Sequence, residues 1–475
     1  MSTAAIERRT IREATTLAPA LALTASVAFL LARTLPDIAA KPWQEDEAVA
    51  GLISAQPLGE LLHTVLLDRG GAPLHFLLVH FAFALDGSPR TLRWLSLVFA
   101  LATIPLCYDL ARRLAGRFAG LTAAALAATS QLLTVYGTFG RMYSLFAFAS
   151  ALALDLFVRA LDRPRGSTLA AATASALLLL VIHPFGVFLF AAELAVAPWR
   201  WRLRAVSVAV LAAPLVVPYL RLPGRYDPEV GMSAPEAMLR ALGGSAGGYG
   251  IGLGLLAVLA AVGAWTLPRT FAVLSLLALV VPPATLALLA NEDVSPRHLI
   301  FVLPVWTTLV AAGVARVPRR TTVAVAVVAL AALAPTAIAD PRTTPSAVAA
   351  PAAWIRAHVE PGDVLYPYSP VFLAALPKAA EARALPREPV ALAHALRRAG
   401  DVKRVFVAIP LREPLTNPIP GGHVFRSWLI LQERGPFSRV PRLLVGVTPL
   451  LNGTARAGAL QLYSVAAAQS ERNRP

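Results

Sequence analysis

Long apolar runs, parted by short polar segments, fill the first 340 positions of this chain. They fall at roughly 15–35, 91–111, 118–137, 143–161, 168–182, 184–198, 204–220, 249–267, 271–290, 299–315 and 321–339. In hydrocarbon every backbone N–H and C=O must find its partner within the segment, so repeated runs of this kind predict membrane-spanning helices. The stretch 72–85 differs. At about 1.5 Å per residue it covers about 20 Å, short of a hydrocarbon core about 30 Å thick. It also carries His75 and His80, and it reads as a helix lying along the outer interface.

After position 340 the pattern changes. Pro341, Pro345 and Pro351 make a linker. Positions 354–359 read as the end of a helix, Pro361-Gly362-Asp363 as a turn and 364–366 as a short strand. A helix at 392–399 and strands at 404–409 and 458–465 follow. This alternation predicts a small α/β domain, 341–475, after a membrane domain, 1–340.

Composition agrees with the pattern. Of 475 residues 57% are hydrophobic and only 15% charged, where a soluble domain carries about 25%; mean hydropathy is +0.62. The formal net charge of +16 does not point to a nucleic acid, because the arginines sit in short clusters between apolar runs. Those clusters orient the chain. If 72–85 does not cross, then Arg8/Arg9/Arg12, Arg112/Arg113/Arg117, Arg159/Arg163/Arg165, Arg200/Arg202/Arg204, Arg269 and Arg316/Arg319/Arg320 all fall on one side. The expectation is an all-α polytopic protein of the plasma membrane with about eleven spans. Its N-terminus is cytoplasmic and its C-terminal α/β domain extracytoplasmic. The first apolar run is long for a cleavable signal and reads as a retained span. Cys107 is the single cysteine, so no disulfide forms within one chain.

This topology gathers the ionisable residues at the outer face. Asp46 and Glu47 follow the first span and open an external loop, 35–90. His75, Arg141, the Asp227/Glu229 loop and Glu292/Asp293/Arg297/His298 come out on the same side. Each has two readings. Asp46 and Glu47 are a solvated loop pair or a catalytic pair. Arg141, Arg297 and His298 are interface anchors or phosphate ligands. Arg93 snorkels to the headgroups or contacts the acidic loop. His75 faces water or the site, and His183, before Pro184, is a packing residue or a ligand. Glu193 lies within a span nearer the cytoplasm, where it needs a partner. The string Gly248-Tyr-Gly-Ile-Gly-Leu-Gly254 follows no strand and opens a span, which fits helix packing and not a dinucleotide fingerprint.

Several segments, taken in order, resemble the GT-C glycosyltransferases. They are Trp43-Gln-Glu-Asp-Glu-Ala48, Gln56-Pro-Leu-Gly-Glu-Leu61, Pro73-Leu-His-Phe-Leu-Leu78, Leu92-Arg-Trp-Leu95, Ala111-Arg-Arg-Leu-Ala-Gly-Arg-Phe-Ala-Gly120, Arg141-Met-Tyr143 and Ser295-Pro-Arg-His-Leu-Ile-Phe-Val-Leu-Pro304. The resemblance covers roughly 15–340 and is greatest to the bacterial family related to protein O-mannosyltransferases and the lipid A aminoarabinose transferase. It implies a polyprenyl-phosphate-linked sugar as donor and a glycan, lipid or protein outside the cytoplasm as acceptor. It implies Asp46 as the base, with Glu47 orienting it or binding a cation. Arg141, Tyr143, Arg297, His298, His75, Arg93 and His183 would bind substrate.

The chain departs from the family pattern twice. Gly71-Ala-Pro-Leu74 stands for His-Pro-Pro-Leu, and Thr138-Phe-Gly-Arg141 for Gln-Glu-Ala-Arg. No cofactor is assigned, and the departures weigh against a divalent cation, which the full motif would support. They also keep open a catalytically degenerate assembly protein. A transporter or flippase of lipid-linked sugars is the rival class, and it predicts inverted repeats with polar groups near the bilayer midplane.

Overall fold

A computed structural model describes residues 3–40, 44–68, 72–199, 201–202, 206, 210, 232–289, 294–318, 349–366, 370–375, 383–384, 404–410, 422–425 and 428–434. Internal contacts divide the chain into two units. One comprises Met1–Ala39 and Ile53–Pro341, the other Ala40–Leu52 and Arg342–Pro475. The segment carrying Asp46 and Glu47 therefore clusters with residues some 300 positions later, not with the membrane domain to which its place in the sequence assigns it.

The first unit is helical. Helix α1 (Thr3–Ala40) is followed by α2 (Glu45–Ser54), α3 (Leu58–His63), which runs into a π-turn, Thr64–Asp68, and α4 (Leu74–Ala82). Nine residues of helix cover about 14 Å, so α4 is too short to cross a bilayer. It buries His75, Phe76 and Val79 and leaves Phe81 exposed, the two-faced character of a helix that lies in an interface. The Nδ1–H of His80 donates to the Ser54 carbonyl at 2.8 Å and ties α4 back to the end of α2.

Next come α5 (Pro89–Ala115), α6 (Arg117–Thr129), α7 (Gln131–Gly137), α8 (Tyr143–Asp162), α9 (Gly166–Ile182) and α10 (Gly186–Val196). Between α6 and α7 the axis bends by 52°. Ser130 causes the break. Its backbone leaves the helical region, and its Oγ accepts from the Leu133 N–H as an N-cap. The same Oγ donates to the Gly244 carbonyl at 3.0 Å, which anchors the bend to the helix Ala234–Ser245. The later helices are Ile251–Thr266, Arg269–Leu288 and a 3-10 segment, Pro296–Val302, that runs into Leu303–Val314.

Five described helices are long and apolar enough to cross a membrane: Pro19–Ile38, Pro89–Ala115, Tyr143–Asp162, Arg269–Leu288 and Pro296–Val314. The bent pair α6–α7 makes a sixth if it counts as one span. Gly166–Ile182, Gly186–Val196 and Ile251–Thr266 are shorter apolar helices at positions where spans 168–182, 184–198 and 249–267 are expected. The expected span 321–339, and that at 204–220 apart from residues 206 and 210, lie outside the described residues.

Chain direction sorts the polar residues to two ends. Helices α5 and α8 finish together, where Asp109, Asp155, Arg112, Arg113 and Arg159 form one ion-pair network. Arg159 reaches Asp155 Oδ2 and Asp109 Oδ2, each at 2.7 Å, and Arg113 reaches Asp109 Oδ2 at 2.9 Å and Asp155 Oδ1 at 3.3 Å. Two of the arginine clusters thus share one end. The starts of α5 and α8 and the finish of α9 make the other end, where Arg93, Arg141, Tyr143 and His183 lie.

In the second unit a helix, Ala349–His358, precedes β1 (Val364–Tyr366); a helix, Pro370–Ala375, β2 (Arg383–Ala384), β3 (Arg404–Pro410), β4 (Gly422–Phe425) and β5 (Trp428–Arg434) follow. The sheet order is β2-β1-β3-β5-β4. Strand β1 runs parallel to β2 and β3, whereas β5 is antiparallel to β3 and β4. Ile355, Leu365, Phe372, Phe406 and Ile430 pack its core. Strands β2, β4 and β5 carry no clear sequence signal: β5 reads Trp-Leu-Ile-Leu-Gln-Glu-Arg without alternation, and Arg426-Ser427 before it is no turn signature. The expected helix 392–399 and strand 458–465 lie outside the described residues.

Candidate functional site

The turn between α7 and α8 presents Arg141. Its N–H donates to the Phe139 carbonyl at 2.6 Å, closing a three-residue turn about Gly140. Ser96, on α5, locks this turn: its Oγ donates to the carbonyls of Phe139 at 2.9 Å and Arg141 at 3.4 Å. No sequence signal marks Ser96, since one serine in an apolar helix is ordinary.

His75 opens α4 beside the same turn. The imidazole is 2% exposed, and it bonds to the Gly140 backbone while Nε2 has no partner among the described residues. Nδ1–H is therefore the donor to the Gly140 carbonyl, and Nε2 keeps a free lone pair. Burial, and then the Arg141 charge, push its pKa down to about 3, only partly offset by the Gly140 carbonyl. It is a neutral histidine that does not titrate near pH 7. Ala72, at the first departure from the family pattern, has φ +59°, a left-handed conformation that costs a residue with a Cβ about 1–2 kcal/mol.

His183 ends α9 because Pro184 disfavours helix at the residue before it; its backbone is extended. The ring is 3% exposed and stacks on Phe146 with centroids 5.0 Å apart. Its Nδ1 accepts the Phe185 N–H at 3.2 Å, which leaves the proton of the neutral ring on Nε2. His298, in the 3-10 segment, does the same: its Nδ1 accepts the Ser295 N–H at 3.4 Å. The two imidazoles lie 5.6 Å apart, and Tyr143, at the start of α8, is 6.1 Å from one and 6.2 Å from the other. The Arg297 guanidinium sits 5.5 Å from the Tyr143 ring centre, in the range of a cation–π contact.

His75, Arg141, Tyr143, His183, Arg297 and His298 thus come together from four separate segments. The cluster is electropositive. Burial and then His298, Arg141 and Arg297 hold the His183 pKa well below the usual histidine value. Among the described residues, no carboxylate is a cause of the shift at His75 or His183. Two guanidiniums with imidazole N–H donors match an anion that offers several oxygens, such as a phosphate. No group of three or more metal-ligating side chains occurs among the described residues.

Arg93 is 1% exposed, with Nη1 3.5 Å from the Ile38 carbonyl; protein encloses it, so it does not snorkel. Asp46 and Glu47 occupy the first turn of α2 in the second unit. Glu47 is 1% exposed, and its Oε2 accepts the Gln44 N–H at 3.1 Å. It is therefore not a solvated loop residue; it caps the helix from the N3 position. Asp46, partly buried, lies where the helix dipole favours a carboxylate. Asp227, Glu229, Glu292 and Asp293 lie outside the described residues.

Residues 70–221 match the family model for dolichyl-phosphate-mannose-protein mannosyltransferase; His75, Arg93, Arg141, Tyr143 and His183 fall inside it. No curated protein matches in sequence. Among solved structures, ArnT from Cupriavidus metallidurans in the apo state is similar at 12% identity over 88% of this chain and 98% of that one, with a TM-score of 0.59. The same protein bound to undecaprenyl phosphate has a TM-score of 0.58. The Archaeoglobus fulgidus oligosaccharyltransferase is similar at 13% identity, over 82% of this chain and 69% of that one, with a TM-score of 0.52. The mycobacterial arabinofuranosyltransferase AftD, of which this chain covers 40%, is 16% identical over 88% of this chain, with a TM-score of 0.51. Identities this low speak for the fold. The chain therefore has the fold of the GT-C membrane glycosyltransferases, with a segment, 70–221, that matches the dolichyl-phosphate-mannose-protein mannosyltransferase family model.

Proposed function

We propose that this chain is a membrane glycosyltransferase that moves a sugar from a polyprenyl-phosphate donor to a hydroxyl group outside the cytoplasm. The observation that carries the reading is the electropositive cluster of Arg141, Arg297, His183 and His298 at one end of a GT-C bundle. Undecaprenyl phosphate in the ArnT structure supports a polyprenyl phosphate as the anion. The polar groups gather at helix ends and not at mid-helix, which favours an enzyme over a transporter with a midplane site.

In this reading the acceptor oxygen attacks the anomeric carbon as the bond to the donor phosphate breaks, with inversion and no covalent enzyme intermediate. Asp46 takes the acceptor proton. Arg141 and Arg297 hold the phosphate before and after it leaves, and the Nε2–H groups of His183 and His298 add further donors. Glu47 sets the helix turn that carries Asp46. The reading includes about eleven spans, with the N-terminus in the cytoplasm and residues 341–475 outside.

The test is a transfer assay with purified protein and a panel of undecaprenyl-phosphate sugars, scored with wild type, Asp46→Asn and Arg141→Ala. Transfer by the wild type, lost in both variants, is expected. Transbilayer movement of the donor without transfer would give the flippase reading instead.

A further inference from the structure

Glu193 is unused by this chemistry. It lies on α10, 4% exposed, and its Oε1 has no hydrogen-bond partner among the described residues. It lines a small, open-sided cavity of about 40 Å³ between the end of α8, α9, α10 and Trp201. The cavity is at the far end of the α9–α10 hairpin from His183. From Leu169 to Ile182, α9 rises about 20 Å, so the two places are separate. A buried carboxyl in an apolar cavity is costly unless something meets it.

The other walls say what could meet it. Phe157, Phe190 and Trp201 supply aromatic surface, Ala172 and Ala176 supply room, and the Phe157 and Trp201 rings meet edge-on at 6.5 Å. Aromatic rings beside one carboxylate recognise an ammonium group, which gains both ion pairing and cation–π attraction. A neutral alcohol would use only the hydrogen bond. The nearby Arg202 is already engaged, donating to the Ala197 and Ala195 carbonyls at 2.8 and 2.7 Å, and caps α10. Room of about 40 Å³ with an open side suits an ammonium head whose apolar body lies outside the cavity.

We propose that the Glu193 cavity binds a primary ammonium group borne on an apolar body, either the headgroup of an aminophospholipid or a free alkylamine. The full-length protein in phosphatidylcholine nanodiscs, which lack primary amines, is titrated with dodecylamine and with dodecanol. Wild type should show a saturable dodecylamine site absent with dodecanol. On binding, infrared difference spectra should show Glu193 entering or remaining in the carboxylate form. Glu193→Gln should weaken the site on the order of ten- to a hundred-fold, the scale of a charge-assisted bond. Ala176→Leu, which fills the cavity and keeps the carboxyl, should weaken it too and covers the case in which Glu193→Gln misfolds. Competition by phosphatidylethanolamine in the disc assigns the lipid source, and its failure to compete assigns the free amine. Equal binding of dodecanol, unchanged dodecylamine binding in both variants, or a Glu193 carboxyl that stays protonated at saturation would overturn the proposal.

Discussion

A histidine sealed beside an arginine serves a site as a neutral group. The folded pKa of His75 is about 3 against an ordinary 6.5, so between these values only the unfolded chain binds the proton. The resulting stability is complete above pH 6.5 and is lost as pH falls toward 3. His75→Gln should flatten the fall in melting temperature between pH 7 and 4.5, with His183 still contributing in the same direction. Ser96→Ala removes the anchor of the Arg141 turn. It should cost about 1 kcal/mol and also weaken donor binding, measured by unfolding in detergent and by donor titration. Arg141→Ala and Arg297→Ala should each lose about 1.5–3 kcal/mol of donor affinity, with lysine rescuing only in part. Asp46→Asn should slow turnover by roughly 10²–10⁴-fold at nearly unchanged donor affinity. Glu47→Gln keeps the oxygen that accepts the Gln44 N–H. It should hold the wild-type melting temperature and cost far less turnover.

At the level of elements, one close approach governs the bundle core. A Cβ on Gly263 would lie 1.9 Å from the Leu309 carbonyl oxygen, and one on Gly313 would lie 1.9 Å from that of Leu259. The helices Ile251–Thr266 and Leu303–Val314 therefore touch backbone to backbone. Gly263→Ala must push them apart and should cost about 1–3 kcal/mol or more, read as a drop in melting temperature. In the second unit the fully buried Asp363 receives two bonds from Arg404, at 3.1 and 2.8 Å. Asp363→Ala leaves that guanidinium with Glu360 and the His358 carbonyl, each at 3.1 Å, but removes two charge-assisted bonds and should destabilise the sheet by about 1.5–3 kcal/mol, followed by protease resistance of the 342–475 unit. Helix positions were legible because an apolar run has to satisfy its own backbone. The bend at Ser130 was not, because its partner is the Gly244 carbonyl, 114 positions away.

At the scale of the whole molecule, orientation in the membrane is read by labelling. Ala353→Cys, exposed on the helix Ala349–His358, should react with an impermeant maleimide added outside intact cells. Ala115→Cys, at the end that holds the Asp109–Arg159 network, should react only after permeabilisation. Labelling at 115 alone would reverse the topology. Periodicity, length and arginine placement already dictated a helical membrane protein, a short α4 and a list of ionisable residues at helix ends, because these follow from the energetics of backbone and charge in hydrocarbon. The meeting of His75, Arg141, Tyr143, His183, Arg297 and His298 was decided by tertiary packing. So were the enclosure of Arg93 and the grouping of 40–52 with the second unit. Each depends on which side chain a folded neighbour presents, and separation along the chain carries no measure of that distance.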